Sequence, residues 1–311
     1  MNFNLSEQEV ENFLKKNLNF IYPGKSNIRL IKFQRYLSLS QNSFVAKCEV
    51  EIISDKKETK TIWLSLSKKF LKEKSFIINK LLWENGFKDD LAVAKPLCYL
   101  KDDNFFIYED ASGISLNDLI KTKDIRSNEA VKKTAQWLKK FQLIKPGSLV
   151  KDKFQLYINW QAIKNICSDT DKIKEKYDEV FDGLKSDQNL VIVHGDFQPN
   201  NIIINNDILY VIDFDMAGIG NPLFDIAIFQ TQIKLRSLEL DDLKFFDEIN
   251  KIFIDQLTRD GYRLANNQLN DYYFLINIQA FSAVCAFLPK EKAHLKIFNY
   301  LREEIDKKLK E

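Results

Sequence analysis

The stretch LVIVHGDFQPNNIIINNDILYVIDFDMAGIGNPLFD, residues 190–225, decides how the chain is read. It opens on an apolar run, Leu190 to Val193, that breaks at His194-Gly195-Asp196. Two further apolar runs flank Asn205-Asn206-Asp207, a turn sequence that predicts a β-hairpin. A hairpin sets its outer ends side by side, so Asn201 and Asp213 are expected as neighbours with Asp196 close by. Two carboxylates and an amide oxygen at the end of one hairpin form a hard-oxygen set. Such a set suits Mg2+, which keeps waters and substrate phosphates as its other ligands.

Charge placement points the same way. From Ser186 to Ile233 there is no Lys or Arg, while the window holds Asp187, Asp196, Asp207, Asp213, Asp215 and Asp225. A buried hairpin that merely excludes lysine accounts for the missing bases but not for aspartates at both of its ends. Over the whole chain Lys+Arg number 46 against 44 Asp+Glu, a net charge of +2, so no general basic footprint for nucleic acid exists. Two histidines, His194 and His294, exclude a zinc enzyme with several His ligands, and nine glycines leave little room for Gly-rich phosphate loops. The four cysteines form no C-x-x-C pair and read as reduced thiols. The N-terminal stretch lacks the basic start and apolar run of a signal peptide and reads instead as a helix with a Ser6/Glu9 capping box. The longest apolar run, Phe281 to Leu288, is far short of the ~20 residues a bilayer needs. The expectation is a cytoplasmic protein with no membrane partner.

Working outward, residues 27 to 67 read as strands, with apolar residues alternating in TIWLSLS. A helix follows in KEKSFIINKLLWENG and closes at Gly86, then two strand-like runs, AVAKPLCYL and NFFIYED. From Leu116 the pattern is helical, with Val131, Ala135, Leu138 and Phe141 on one face and about four helices over 222–311. The fold class expected is α+β in two lobes: a β-rich lobe over 1–107, a crossing segment over 108–115, and a larger, mainly helical lobe over 116–311 that carries the small hairpin.

The run HGDFQPNN…VIDFDMAGIGNPLFDIA resembles the catalytic core of the aminoglycoside phosphotransferase and choline kinase superfamily, which shares the bilobal protein-kinase-like fold. The resemblance is specific over residues 190–230 and diffuse over 27–145. It implies an ATP- and Mg2+-dependent kinase acting on a small-molecule hydroxyl. It further implies that Asp196 is the catalytic aspartate, that Asn201 and Asp213 are the metal ligands, and that His194, Asp215 and Asp225 support the site. Tyr108-Glu109-Asp110-Ala111 falls where the hinge offers backbone groups to adenine, which makes Glu109 and Ala111 candidate nucleotide contacts. Phosphoryl transfer needs positioning and charge neutralisation more than covalent help, so such a residue set suffices.

Members of that superfamily carry a lysine on the third strand, paired with a helix glutamate. Here Ser65 stands where the lysine is expected and Ser75 roughly where the glutamate would be. Lys68 or Lys69 at the strand end, or Lys47 on the neighbouring strand, could supply the charge, with Lys47 favoured because it interrupts an apolar strand, and Glu73 could be the partner. The segment Ser38 to Ser43 also lacks glycine where a turn would cover phosphates. These departures motivate two alternatives, a catalytically weak kinase-like nucleotide-binding protein and a protein-modifying transferase. The aromatic set Tyr262, Tyr272, Tyr273, Phe274, Phe281 and Trp160 could wall a cationic acceptor, but at helical spacing it reads first as core. A lysine-free acidic floor favours a cationic or neutral acceptor such as choline, ethanolamine, an amino sugar or an aminoglycoside.

Overall fold

The computed structural model describes residues 5–37, 43–54, 56–67, 72–145, 150, 152–184, 189–262, 266–287 and 292–311. In chain order its first elements are α1 (Glu7–Lys16), α2 (Leu18–Ile21), β1 (Asn27–Leu37), β2 (Ser43–Ile53), β3 (Lys57–Ser67), α3 (Lys72–Glu84), β4 (Leu91–Val93), β5 (Pro96–Leu100) and β6 (Phe105–Glu109). There follow β7 (Ile114–Ser115), α4 (Leu116–Lys121), α5 (Ser127–Gln142), α6 (Trp160–Lys164), α7 (Thr170–Leu184) and β8 (Val191–Val193). Last come β9 (Ile202–Asn205), β10 (Ile208–Val211), β11 (Gly218–Gly220), α8 (Leu223–Leu240), α9 (Leu243–Arg259), α10 (Asn266–Phe287) and α11 (Lys292–Lys308). This is the α+β arrangement expected from the sequence. The chain divides into two compact units, Met1–Gly113 with Ile203–Asp215, and Ile114–Ile202 with Met216–Glu311.

The first unit is built on an antiparallel sheet ordered β1-β2-β3-β6-β5. Alternation sets its register. Phe44, Ala46 and Cys48 pair with Leu66, Leu64 and Ile62, and all six are buried in one core with Val10 and Leu14 of α1. Each such side chain contributes roughly 1.5–3 kcal/mol on burial, and a one-residue slip would turn the whole set to the other face. That other face carries Lys47 opposite Trp63 and Val45 opposite Ser65. Ser6 and Glu9 form the capping box that starts α1. The amide of Lys72, the first residue of α3, donates to Asn104 Oδ1 at 2.9 Å, which ties the start of that helix to the β5–β6 turn. Asn104 turns the chain at φ 52 and also accepts from the Tyr99 hydroxyl at 3.1 Å. Strands β4, β10 and β9 are neighbours in a second sheet, with β10 parallel to β4. Asn206, at φ 52, turns the β9–β10 hairpin where the sequence placed its turn.

In the second unit α8 is the central helix, with Ile226, Ala227, Phe229 and Ile233 all buried. Phe229 stacks on Phe253 of α9 at 4.2 Å between ring centroids. Val131, Ala135, Leu138 and Phe141 of α5 are buried on one face, as their spacing predicts. The aromatic set splits: Tyr272, Phe274 and Phe281 are core, with Tyr272 packed on Phe224 at 4.7 Å. Strand β8 pairs antiparallel with β11, and residues 152–154 run along the other side of β11 through Phe154 N–H to Ile219 O, 2.8 Å, and Ile219 N–H to Asp152 O, 2.7 Å. Among the described residues no helix is long and apolar enough to cross a membrane.

Candidate active site

In the second unit β8 delivers the chain into the loop 194–201, and α8 holds that loop from behind. Asp225, in the first turn of α8 and fully buried, accepts from His194 N–H at 2.8 Å and Gly195 N–H at 2.9 Å. Gly195 sits at φ 76, and a Cβ there would lie 2.5 Å from Met216 O, so the turn requires glycine. Burial pushes the Asp225 carboxyl up to about 7, against the lowering effect of its two amide donors, and the charge of Asp196 pushes it further up. His194 is buried and accepts the Asp196 N–H at Nδ1, 3.3 Å, so it orders the backbone from inside the turn. Phe197 closes the loop as an aromatic plug, stacked 5.9 Å from Trp137 and tilted against Phe229 at 5.9 Å.

The carboxylate this loop presents is Asp196. Asn201 Nδ2 donates to Asp196 Oδ2 at 2.8 Å and to its backbone oxygen at 2.9 Å. Gln198 Nε2 donates to both carboxylate oxygens at 2.9 and 3.0 Å. Both bonds of Asn201 run through its amide nitrogen, which leaves Oδ1 as the atom to offer a cation. The set thus contains a carboxylate in a fixed orientation, able to receive a proton, beside an amide oxygen suited to a hard ion.

In the first unit Asp213 follows β10 by two residues and has φ 68, the left-handed region. Such backbone in a non-glycine residue gathers at functional sites. Asp215 is held from α3: Ser75 Oγ donates to Oδ1 at 2.5 Å and Lys72 Nζ pairs with Oδ2. Burial pushes the Tyr108 phenol up, and the charges of Asp213, Asp215 and Asp110 push it the same way, which sets these carboxylates around the end of β6. Lys47 pairs with Asp110 at 2.8 Å and lies 5.5 Å over the Trp63 ring, while Trp63 Nε1 donates to Asp110 at 2.5 Å. Glu109 takes Lys95 on its side chain at 2.9 Å, and Ala111 follows half-buried. Ser65 is buried on β3. Lys68, Lys69 and the segment 38–42 lie outside the described residues.

Among the described residues no three His, Cys, Asp or Glu side chains gather as a metal cage. An amide oxygen such as Asn201 Oδ1 is a hard donor of the kind that suits an ion whose remaining ligands come from carboxylate, water and phosphate. Gln198, Phe197 and Lys72 are the participants that sequence reasoning missed. Gln198 and Phe197 stand inside the quoted motif, but nothing in their spacing shows that one side chain turns to Asp196 and the other to α5. The bond of Lys72 spans 143 residues.

A family model described as the phosphotransferase enzyme family matches residues 72–248, more than half of the chain. Protein LicA of Haemophilus influenzae is 26% identical over 132 residues, 41% of this chain and 38% of that protein. The chain thus matches less than half the length of this curated relative. Among solved structures, the amicoumacin kinase hAmiN in complex with AMP-PNP, Ca2+ and Ami superposes with a TM-score of 0.61 at 16% identity, over 97% of this chain and 96% of that one. The aminoglycoside phosphotransferase APH(4)-Ia gives 0.62 at 13% identity, over 98% and 99%. An ethanolamine kinase of Plasmodium vivax gives 0.62 at 16%, over 96% and 92%. At these identities the likeness is one of fold.

Proposed function

The chain belongs to the phosphotransferase enzyme family, and from that premise we propose that it transfers the terminal phosphoryl group of ATP to a hydroxyl of a small molecule, with Mg2+ as cofactor. The observation that carries this reading is the Asp196 carboxylate, held by Asn201 and Gln198 on a loop pinned through two amides to buried Asp225. Asp196 orients the acceptor hydroxyl and takes its proton as the oxygen attacks. Asn201 Oδ1 and Asp213 hold the cation, which when bound supplies charge neutralisation to the phosphates. Glu109 and Ala111 offer backbone groups to the base, with Lys47 or Lys68 as a further contact to the nucleotide.

The acceptor we infer is cationic or neutral: choline, ethanolamine, an amino sugar or an aminoglycoside. The lysine-free acidic window around Asp196 supports this, and so do neighbours named as an ethanolamine kinase and an aminoglycoside phosphotransferase. Four buried free thiols support a reducing, cytoplasmic setting.

The test is transfer from γ-labelled ATP by the purified protein, against a panel of hydroxylated amines and sugars and against itself. Transfer to a panel member is expected, with Asp196→Asn losing at least 10²-fold in kcat and still binding Mg·ATP. An Asp196→Asn variant as fast as wild type would overturn the assignment of Asp196. Nucleotide binding without any transfer would favour a kinase-like binding protein, and labelling of polypeptide alone a protein-modifying transferase.

A further inference from the structure

The ion pair between α3 and the segment that follows β10 is largely buried. Lys72 begins α3, its side chain is 8% exposed, and it pairs with Asp215, itself 15% exposed. Ser75, one turn on and also buried, donates to the other oxygen of the same carboxylate. Both Asp215 oxygens are therefore engaged by one helix. The start of that helix is itself fixed by the bond from Lys72 N–H to Asn104 Oδ1. Asp215 stands two residues from Asp213, whose left-handed backbone sets where its carboxylate goes.

We propose that Lys72, together with Ser75, is the positioning residue for Asp213: α3 clamps Asp215 and so fixes the metal-ligating segment 213–215. The proposal rests on the phosphotransferase reading and deepens it. One physical point separates it from a purely structural ion pair: replacing a buried pair by apolar groups is often neutral for stability, so stability alone gives little reason for a buried lysine here. Lys72 is a strut and not a phosphate contact, because at 8% exposure its ammonium is committed inside the unit.

The test measures binding of Mn2+ with AMP-PNP to the full chain by calorimetry, beside melting temperature and the kinetic constants. Removing a group that orients a metal ligand typically costs 10–100-fold in metal affinity. Lys72→Met is expected to weaken Mn·AMP-PNP by about tenfold or more, Ser75→Ala by less, and Lys72→Arg to restore most of the loss. The KM for metal-nucleotide should rise while the acceptor KM stays within about twofold. The double variant Lys72→Met with Asp215→Asn carries no unpaired buried charge. It is expected to recover the melting temperature but not the affinity. Recovery of both would overturn the proposal, as would Lys72→Met and Ser75→Ala each binding as wild type does. If Lys72→Met does not fold, Ser75→Ala and the double variant decide alone. Failure of wild type to bind Mn·AMP-PNP would overturn the phosphotransferase reading itself, and this inference with it.

Discussion

Asp225 shows how a single side chain can organise a loop and carry a stability signature. Its carboxyl is raised from 3.8 to about 7 by burial. A folded value above the unfolded one means that the folded state holds the proton more tightly between about pH 4 and pH 7. The resulting stability is fully present below pH 4, declines as pH rises through 7, and is level above. One pKa unit is 1.36 kcal/mol, so the span amounts to roughly 4 kcal/mol. Urea unfolding of wild type and Asp225→Asn across pH 4–8 should give stability curves that converge or cross, because the variant lacks this slope. Parallel curves would refute it. Gln198 gives a second residue-scale test: with both its bonds on Asp196, Gln198→Ala should lower kcat about tenfold and leave nucleotide binding unchanged in a fluorescence titration. The turn at Asn206 and the contact of Asn201 with Asp196 were legible because the hairpin pattern orders these residues along the chain. Gln198 was not, because the direction of a side chain in a turn is decided by packing and not by period.

The β8–β11 pair explains glycines that the sequence leaves without a purpose. Gly218-Ile219-Gly220 fits no dinucleotide fingerprint, and its requirement lies in the segment 152–154 alongside. A Cβ at Gly218 would sit 2.8 Å from Phe154 N and 2.9 Å from Asp152 O, and one at Gly195 would sit 2.7 Å from Phe154 Cε2. Backbone atoms cannot yield as side-chain ends can. Gly218→Ala should therefore destabilise by about 1–3 kcal/mol, as overpacking does. At about 2–4 °C per kcal/mol for units of this size, the melting temperature should fall by several degrees. A melting temperature equal to wild type in calorimetry would mean that the segment 152–154 does not press on β11. No local signal predicts this, since residues 152–154 carry no strand pattern and meet β11 from far along the chain. The alternating strands of the main sheet and the α5 face were legible for the opposite reason: there the period itself dictates which side chains enter the core.

At the scale of the molecule, the residues proposed for phosphoryl transfer are distributed over two units: Asp196, Asn201 and Asp225 in one, Asp213 and Asp215 in the other. Neighbours in a sequence motif need not belong to one packing unit, and the boundary falls inside the quoted stretch, at Ile203 and again after Asp215. The balanced charge of the whole chain concealed the same stretch, because its aspartates are offset by lysines elsewhere. Separate units allow the two roles to be tested separately. A ligand that binds only the folded state stabilises by about 2.7 kcal/mol when present at 100 times its dissociation constant. Mg·ATP at that excess should raise the melting temperature of wild type and of Asp196→Ala alike, because Asp196 acts on the acceptor. It should raise that of Asp213→Ala much less, because the cation loses a ligand, each shift being read against the same protein without nucleotide. Equal shifts in wild type and Asp213→Ala would remove Asp213 from the metal site. A shift lost in Asp196→Ala would mean that Asp196 binds the nucleotide complex instead of serving as the base.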